Sequence, residues 1–151
     1  MKAICLVTSI IIVLVGLASC GRRADPEAAS RELHAMEQAY CSEDVAQAEQ
    51  ALREHLALLV DHERRGVLGY DYLFGRAMTH GRLSMLAYHQ GRIDEAEEYF
   101  RLFSREYSDW YVGQGLSTNG LPQSLAQMAE LIDKYDDGLV VRWKRSSDEP
   151  K

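Results

Sequence analysis

His80-Gly81-Arg82-Leu83-Ser84-Met85-Leu86-Ala87-Tyr88-His89-Gln90-Gly91-Arg92-Ile93-Asp94-Glu95-Ala96-Glu97-Glu98-Tyr99-Phe100 is the stretch on which the fold turns. From Asp71 to Gln90 the apolar residues Leu73, Phe74, Ala77, Met78, Leu83, Met85, Leu86, Ala87 and Tyr88 wrap most of a helical cylinder. A helix apolar over so wide an arc is packed on two sides, which predicts a central element. Gly91 stops it. Beyond the glycine, Ile93, Ala96, Phe100, Phe103 and Tyr107 recur at three, four, three and four, while Glu95, Glu97, Glu98, Arg101 and Arg105 fall on the other face. That is the period of an amphipathic helix, and Glu97 and Arg101, four apart in the favourable order, support it. Two helices around a short glycine turn predict an antiparallel hairpin.

Working outward, Ala29, Leu33, Met36 and Tyr40 place a first helix after Glu27. Ser42, followed by Glu43 and Asp44, reads as an N-cap with acids in the first turn. Val45, Ala48, Leu52, Leu56 and Leu59 stripe the second helix, which ends in Arg64-Arg65-Gly66. On the other side, Tyr111 to Gly120 is a glycine-rich loop. Pro122 suits the first turn of a fifth helix with the stripe Leu125, Met128, Ile132 and Tyr135, closed by Asp136-Asp137-Gly138. Leu139-Val140-Val141-Arg142-Trp143 is strand-like in composition. One strand makes no sheet, so the expectation is an extended tail laid on the helices or a continuation of the fifth helix, with residues 145–151 disordered. The fold expected is all-α: about five helices in one domain over residues 27–144, with a short extended C-terminal tail.

The span from His80 to Ser108 resembles a tetratricopeptide repeat. Leu83 and Ser84 stand at the family's leucine and small positions, Gly91 at the turn, Asp94-Glu95-Ala96 at the start of the second helix and Phe100 at the later aromatic. His80, Ala87 and Ser108 depart from the usual tryptophan, tyrosine and proline. A fainter copy runs through Ala35, Met36, Ala39, Ala48 and Leu52, but Ala48 and Ala96 are farther apart than the family's period of ~34 residues. The resemblance implies tetratricopeptide-like hairpins; an ordinary small helical bundle is the alternative.

The N-terminus carries a different signal. Lys2 precedes an almost unbroken apolar run from Ala3 to Leu17, the layout of a secretory signal peptide. It is shorter than the ~20 apolar residues a spanning helix needs. Leu17-Ala18-Ser19-Cys20 resembles the lipobox of bacterial lipoproteins. That resemblance implies cleavage before Cys20, loss of residues 1–19, and lipidation of the Cys20 thiol. Residues 20–26 then form an acylated N-terminus and polar tether, and the bilayer is a partner through Cys20. Gly21 stands where an Asp is associated with inner-membrane retention, which favours the inner leaflet of the outer membrane if the source is Gram-negative.

Removing residues 1–19 takes away Lys2 and no acid, so the formal charge moves from −6 to −7. An acidic domain of this kind excludes phosphate-contacting nucleic-acid binding, which requires a basic face. It also argues against lying flat on anionic lipid. With Cys5 removed and Cys20 acylated, Cys41 is the remaining thiol and no internal disulfide forms. A small buried apolar side chain near a helix end is its expected role.

No catalytic constellation is present. His55 and His62 are seven apart, about 10.5 Å along a helix, and His34, His80 and His89 are scattered. No H-E-x-x-H or C-x-x-C pattern occurs, so neither a metal nor another cofactor is expected. Gly113-Gln114-Gly115-Leu116-Ser117 does not match a nucleophile elbow, and the pairs Asp61/Glu63 and Glu97/Glu98 read as solvated acids. The aromatics are more pointed. Tyr70, Tyr72 and Phe74 open the third helix and Tyr107, Trp110 and Tyr111 close the fourth, so an antiparallel hairpin brings both groups to one end. Aromatics are enriched at interfaces, which makes that end a candidate partner or peptide site; a core end-plug is the other reading. The function expected is a membrane-anchored adaptor for protein–protein interaction or assembly in the bacterial cell envelope. An envelope enzyme or its accessory subunit, and a structural lipoprotein without a defined partner, are the alternatives.

Overall fold

The computed structural model describes residues 25–42 and 44–148; the signal-like run, Cys20 and residues 149–151 lie outside them. The described chain is an all-α bundle of six helices without a strand: α1 Pro26–Tyr40, α2 Val45–Arg64, α3 Tyr72–His89, α4 Ile93–Gly113, α5 Leu125–Tyr135 and α6 Leu139–Asp148. A short 3₁₀ turn at Thr118–Gly120 interrupts the loop before α5.

Local chemistry sets the boundaries. Asp25 Oδ1 accepts from the Glu27 amide at 3.0 Å and Pro26 occupies the first position of α1, where a missing N–H costs nothing. The α2 cap is Asp44, not Ser42: its Oδ1 accepts from the Ala46 and Gln47 amides at 2.9 and 3.1 Å. Ser42 serves one step earlier, accepting from the Asp44 amide at 3.1 Å. Asp71 caps α3 through the Phe74 amide. The α3–α4 turn closes with Arg92 N–H to Ala87 C=O at 2.9 Å and Gly91 N–H to Tyr88 C=O at 3.0 Å. Gly91 takes φ +74° there, a left-handed cap that side chains resist. The fifth helix starts later than Pro122 suggests, because Ser124 supplies the cap through the Gln127 amide, and α4 runs on through Tyr111 to Gly113.

α3 is central, as its wide apolar arc requires. Leu83 and Leu86 join Tyr40, Ala48, Ala51, Leu52, Leu139 and Trp143 on one side. On the other, Ala77, Met78 and Met85 join Phe103, Tyr107, Met128, Ile132 and Val140. The α3–α4 crossing is close: Ser84 and Ala96 are fully buried, and Ser84 Oγ donates to the Ala96 carbonyl at 2.7 Å. The first four helices run antiparallel in succession, with Glu32 beside His62, His55 beside Thr79, and Phe74 beside Trp110. The starts of α1 and α3 and the ends of α2 and α4 therefore share one end of the bundle.

The C-terminal expectation is corrected. Leu139–Trp143 is neither an extended tail nor a continuation of the fifth helix; it opens a separate helix, α6. Asp137 at φ +51° and Gly138 at φ +74° turn the chain. Asp133 Oδ1, from α5, accepts from the Val140 amide at 2.7 Å and anchors the new helix start. In helical register Leu139, Val140 and Trp143 share a face, and all three are buried. That burial outweighs the β-branched propensity of Val140 and Val141, which is a weak prior. Residues 145–148, expected to be disordered, complete α6.

Candidate partner-binding groove

Phe74, at the start of α3, sits 4.7 Å from the Trp110 ring and 6.2 Å from that of Tyr107. Tyr107 stacks on Trp110 at 5.6 Å and meets Tyr111 at 5.1 Å. Trp110 Nε1 donates to Asp71 Oδ2 at 2.6 Å, so the acid that caps α3 also ties down the end of α4. Phe74, Tyr107, Trp110 and Tyr111 are thus one aromatic group, with Tyr135 of α5 edge-on to Phe74 at 5.6 Å. Tyr70 and Tyr72 pair with each other at 5.5 Å instead. Tyr72 hydroxyl donates to the Val67 carbonyl at 2.9 Å, and Tyr70 packs against Gly75; both secure the α2–α3 loop. Burial pushes the Tyr70 hydroxyl up to about 12. Burial, then the neighbouring Tyr111 and Tyr135, raise Tyr107 as well, so the Tyr70 and Tyr107 hydroxyls stay protonated across the physiological range.

Tyr107 is more than a plug. Although its ring is 3% exposed, it forms a wall of two clefts. One, of about 440 Å³, adds Tyr111, Asn119, Gly120, Gln127 and Leu131. The other, of about 260 Å³, adds Phe100, Phe103 and Ser104. Both share Tyr107, Leu121, Pro122 and Gln123, so they adjoin along α4 beneath the loop that leads to α5. Ser104 Oγ, buried beside the smaller cleft, has no hydrogen-bond partner among the described residues. Glu130 and Lys134 rim the larger one. The sequence pointed to Tyr107 and Tyr111; Leu121 and Pro122 are additions, since Pro122 sits in the loop and not in a helix. A separate apolar groove of about 270 Å³ between α3, α5 and α6 is lined by Met85, Tyr88, Leu125, Val140 and Val141. It depends on α6 being helical, which the composition of that segment concealed.

Three of the five histidines, His55, His62 and His80, are buried against polar partners. His55, 1% exposed, lies 3.1 Å from Thr79 Oγ1, whose hydroxyl donates to the Gly75 carbonyl. The Thr79 oxygen must then accept, which puts the proton of neutral His55 on Nδ1. Burial, reinforced by Arg82, pushes His55 down to about 4. His80 Nδ1 lies 2.7 Å from Glu106 Oε2, and Arg76 Nε donates to the other oxygen at 3.2 Å. Burial alone would raise Glu106, but those hydrogen bonds outweigh it and hold the carboxyl below its usual range. His62 Nε2 lies 3.1 Å from Glu32, and exposed His34 lies 3.5 Å from Glu37. Among the described residues, no three His, Cys, Asp or Glu side chains converge on a point able to hold a metal ion.

Cys41 corrects another expectation: it is exposed at the α1 C-cap, not buried. The apolar face of α1 ends one residue earlier at Tyr40, whose ring fills the core position. Partial enclosure of the sulfur and the Asp136 carboxylate push its thiol up, which disfavours the nucleophilic thiolate.

No protein-family model matches the chain, and comparisons with curated proteins and with solved structures return no match.

Proposed function

We propose that this protein is a membrane-tethered adaptor that holds an extended segment of a cell-envelope protein in the groove along α4. The carrying observation is that Tyr107, Leu121, Pro122 and Gln123 belong to two adjoining clefts at once. Together they form a trough of mixed polarity, aromatic at Tyr107, apolar at Leu121 and Pro122 and polar at Gln123. Rigid aromatic walls contribute contact area at little cost in side-chain entropy. The resemblance of His80–Ser108 to a tetratricopeptide hairpin is consistent with a peptide-binding scaffold, and the close Ser84–Ala96 crossing supports it. Acylated Cys20 is the anchor, with two or more acyl chains giving stable attachment. In a Gram-negative source, Gly21 directs it to the outer membrane.

Two experiments test the two halves. A photo-reactive residue at Gln123 or Gln127, in living cells, should crosslink one envelope protein that a residue at Gln50, exposed on α2, does not reach. Crosslinking alike from both faces, or none, counts against the groove. Cys20→Ala should leave the domain folded but abolish fatty-acid labelling, and labelling that persisted would overturn the lipoprotein reading.

A further inference from the structure

The end of the bundle formed by the α2–α3 loop and the end of α4 displays apolar side chains that its own packing does not use. In the α2–α3 loop Val67 is buried at 5% exposure, and its carbonyl is held by Tyr72. The next residue, Leu68, is 81% exposed, set between Gly66 at φ +68° and Gly69 at φ +93°. At the end of α4, Val112 is 62% exposed and Leu116, just beyond Gly115, is 50% exposed. Leu68 and Val112 are the most exposed large apolar side chains among the described residues. The basic groups beside them, Arg64 and Arg65, both pair with Asp61, so among the described residues this end carries no free run of cations.

The same end receives the start of α1. Cys20 stands five positions before Asp25, the α1 cap, and a fully extended chain covers at most about 3.6 Å per step, or about 18 Å here. α2, with 20 residues, is about 30 Å long. A bilayer anchor at Cys20 therefore keeps this end close to the headgroups, while the α3–α4 turn at the opposite end stands out of reach in an upright bundle. We infer that the end carrying Leu68, Val112 and Leu116 rests in the headgroup region of the bilayer, seating the domain upright on its anchor. The inference rests on the lipoprotein reading for its geometry. The contact is apolar, so it holds on zwitterionic lipid and does not weaken with salt, unlike attachment through basic patches.

Bromolipid quenching of tryptophan tests this. Leu68→Trp is placed in a Trp110→Phe background, where Trp143, fully buried, is the internal reference. Gln90→Trp, at the opposite end, is the control. The acylated protein, purified from cells, is bound to phosphatidylcholine–phosphatidylethanolamine vesicles containing brominated phosphatidylcholine. A parallel arm starts the chain at Cys20, adds Cys41→Ser, and couples Cys20 to maleimide-bearing lipid; both core clusters of the described residues lie between Tyr40 and Trp143, so this shortened chain retains them. The position-68 tryptophan should be quenched several-fold more strongly than the position-90 one in both arms, at low and high salt alike. Equal quenching at the two positions on vesicle-bound protein overturns the inference, whether water or another protein copy covers Leu68. Strong position-68 quenching in the maleimide arm with no acylation in cells would remove the anchor reading and leave the apolar seat standing.

Discussion

Arg82 and Asp136 meet through two parallel hydrogen bonds, Nε to Oδ2 at 2.6 Å and Nη2 to Oδ1 at 2.7 Å. Both side chains are less than a tenth exposed, and the guanidinium lies 4.6 Å over the Tyr40 ring. One side chain of the central helix thus clamps the end of α5 and the end of α1 together. Removing one partner of such a pair strands a buried charge, which costs about 3–5 kcal/mol, whereas replacing both with apolar groups is often nearly neutral. Asp136→Ala should therefore lower unfolding stability by several kcal/mol, and Arg82→Met with Asp136→Leu should cost less than Asp136→Ala alone. Urea denaturation of the single and double variants checks this; additive losses would show that the pair does not act as a unit.

His55 makes stability depend on pH. Its folded pKa of about 4 lies below the ordinary histidine value of 6.5, so between those values the unfolded chain binds the extra proton. Stability is then full above about pH 6.5, falls as pH drops toward 4, and levels off below. The gap corresponds to about 3 kcal/mol at most. Glu106, held below its usual range, adds a loss in the same direction at still lower pH. Urea midpoints taken from pH 7 to pH 4 should fall steadily for the native chain and much less for His55→Leu. An equal slope in both would remove His55 as the cause.

Helix periodicity is local, so the stripes of α1 to α4, the Gly91 turn and the two-sided character of α3 were legible in residues three and four apart. Long-range polar pairing was not. Arg82 and Asp136 are 54 positions apart, and His80 and Glu106 are 26 apart; no spacing rule links them. The same limit separated Phe74, Tyr107, Trp110 and Tyr111, which converge, from Tyr70 and Tyr72, which fasten a loop. Leu121 and Pro122 become groove walls only once α4 and α5 are placed side by side.

Gly81 lies where α3 meets both α4 and α5. A Cβ there would stand 3.1 Å from Ile132 Cδ1, 3.2 Å from Phe103 Cδ2 and 3.4 Å from Met128 Sδ. On an exposed helix, Gly→Ala stabilises by about 1 kcal/mol. At Gly81 the fully buried neighbours must give way, so Gly81→Ala should gain less than that. Gly81→Val, with two further methyls against the same wall, should lose about 1–3 kcal/mol to overpacking. Thermal unfolding of the two variants checks the ordering, and a stabilised Gly81→Val would mean that α5 is free to move outward.

Trp143 decides whether α6 exists as a helix. Its ring is fully buried and its Nε1 donates to the Ser42 carbonyl at 3.2 Å, across 101 positions of chain. It also packs in the cluster with Tyr40, Leu52, Leu83, Leu86 and Leu139. α6 has 10 residues, fewer than the ~12–15 an isolated helix needs to persist in water. Tertiary burial must therefore hold it. Trp143→Ala removes that burial at a cost of about 3–5 kcal/mol. The loss should be uneven: amide exchange should quicken through α6 and at the α1–α2 turn that Trp143 caps, while the α3–α4 hairpin keeps its protection. Trp143→Phe, which keeps most of the apolar area and loses the hydrogen bond to Ser42, should leave α6 largely protected. If α6 amides exchange no faster in Trp143→Ala, the segment is held by Asp133 and Gly138 locally, and the indole is not what converts a strand-like composition into a helix.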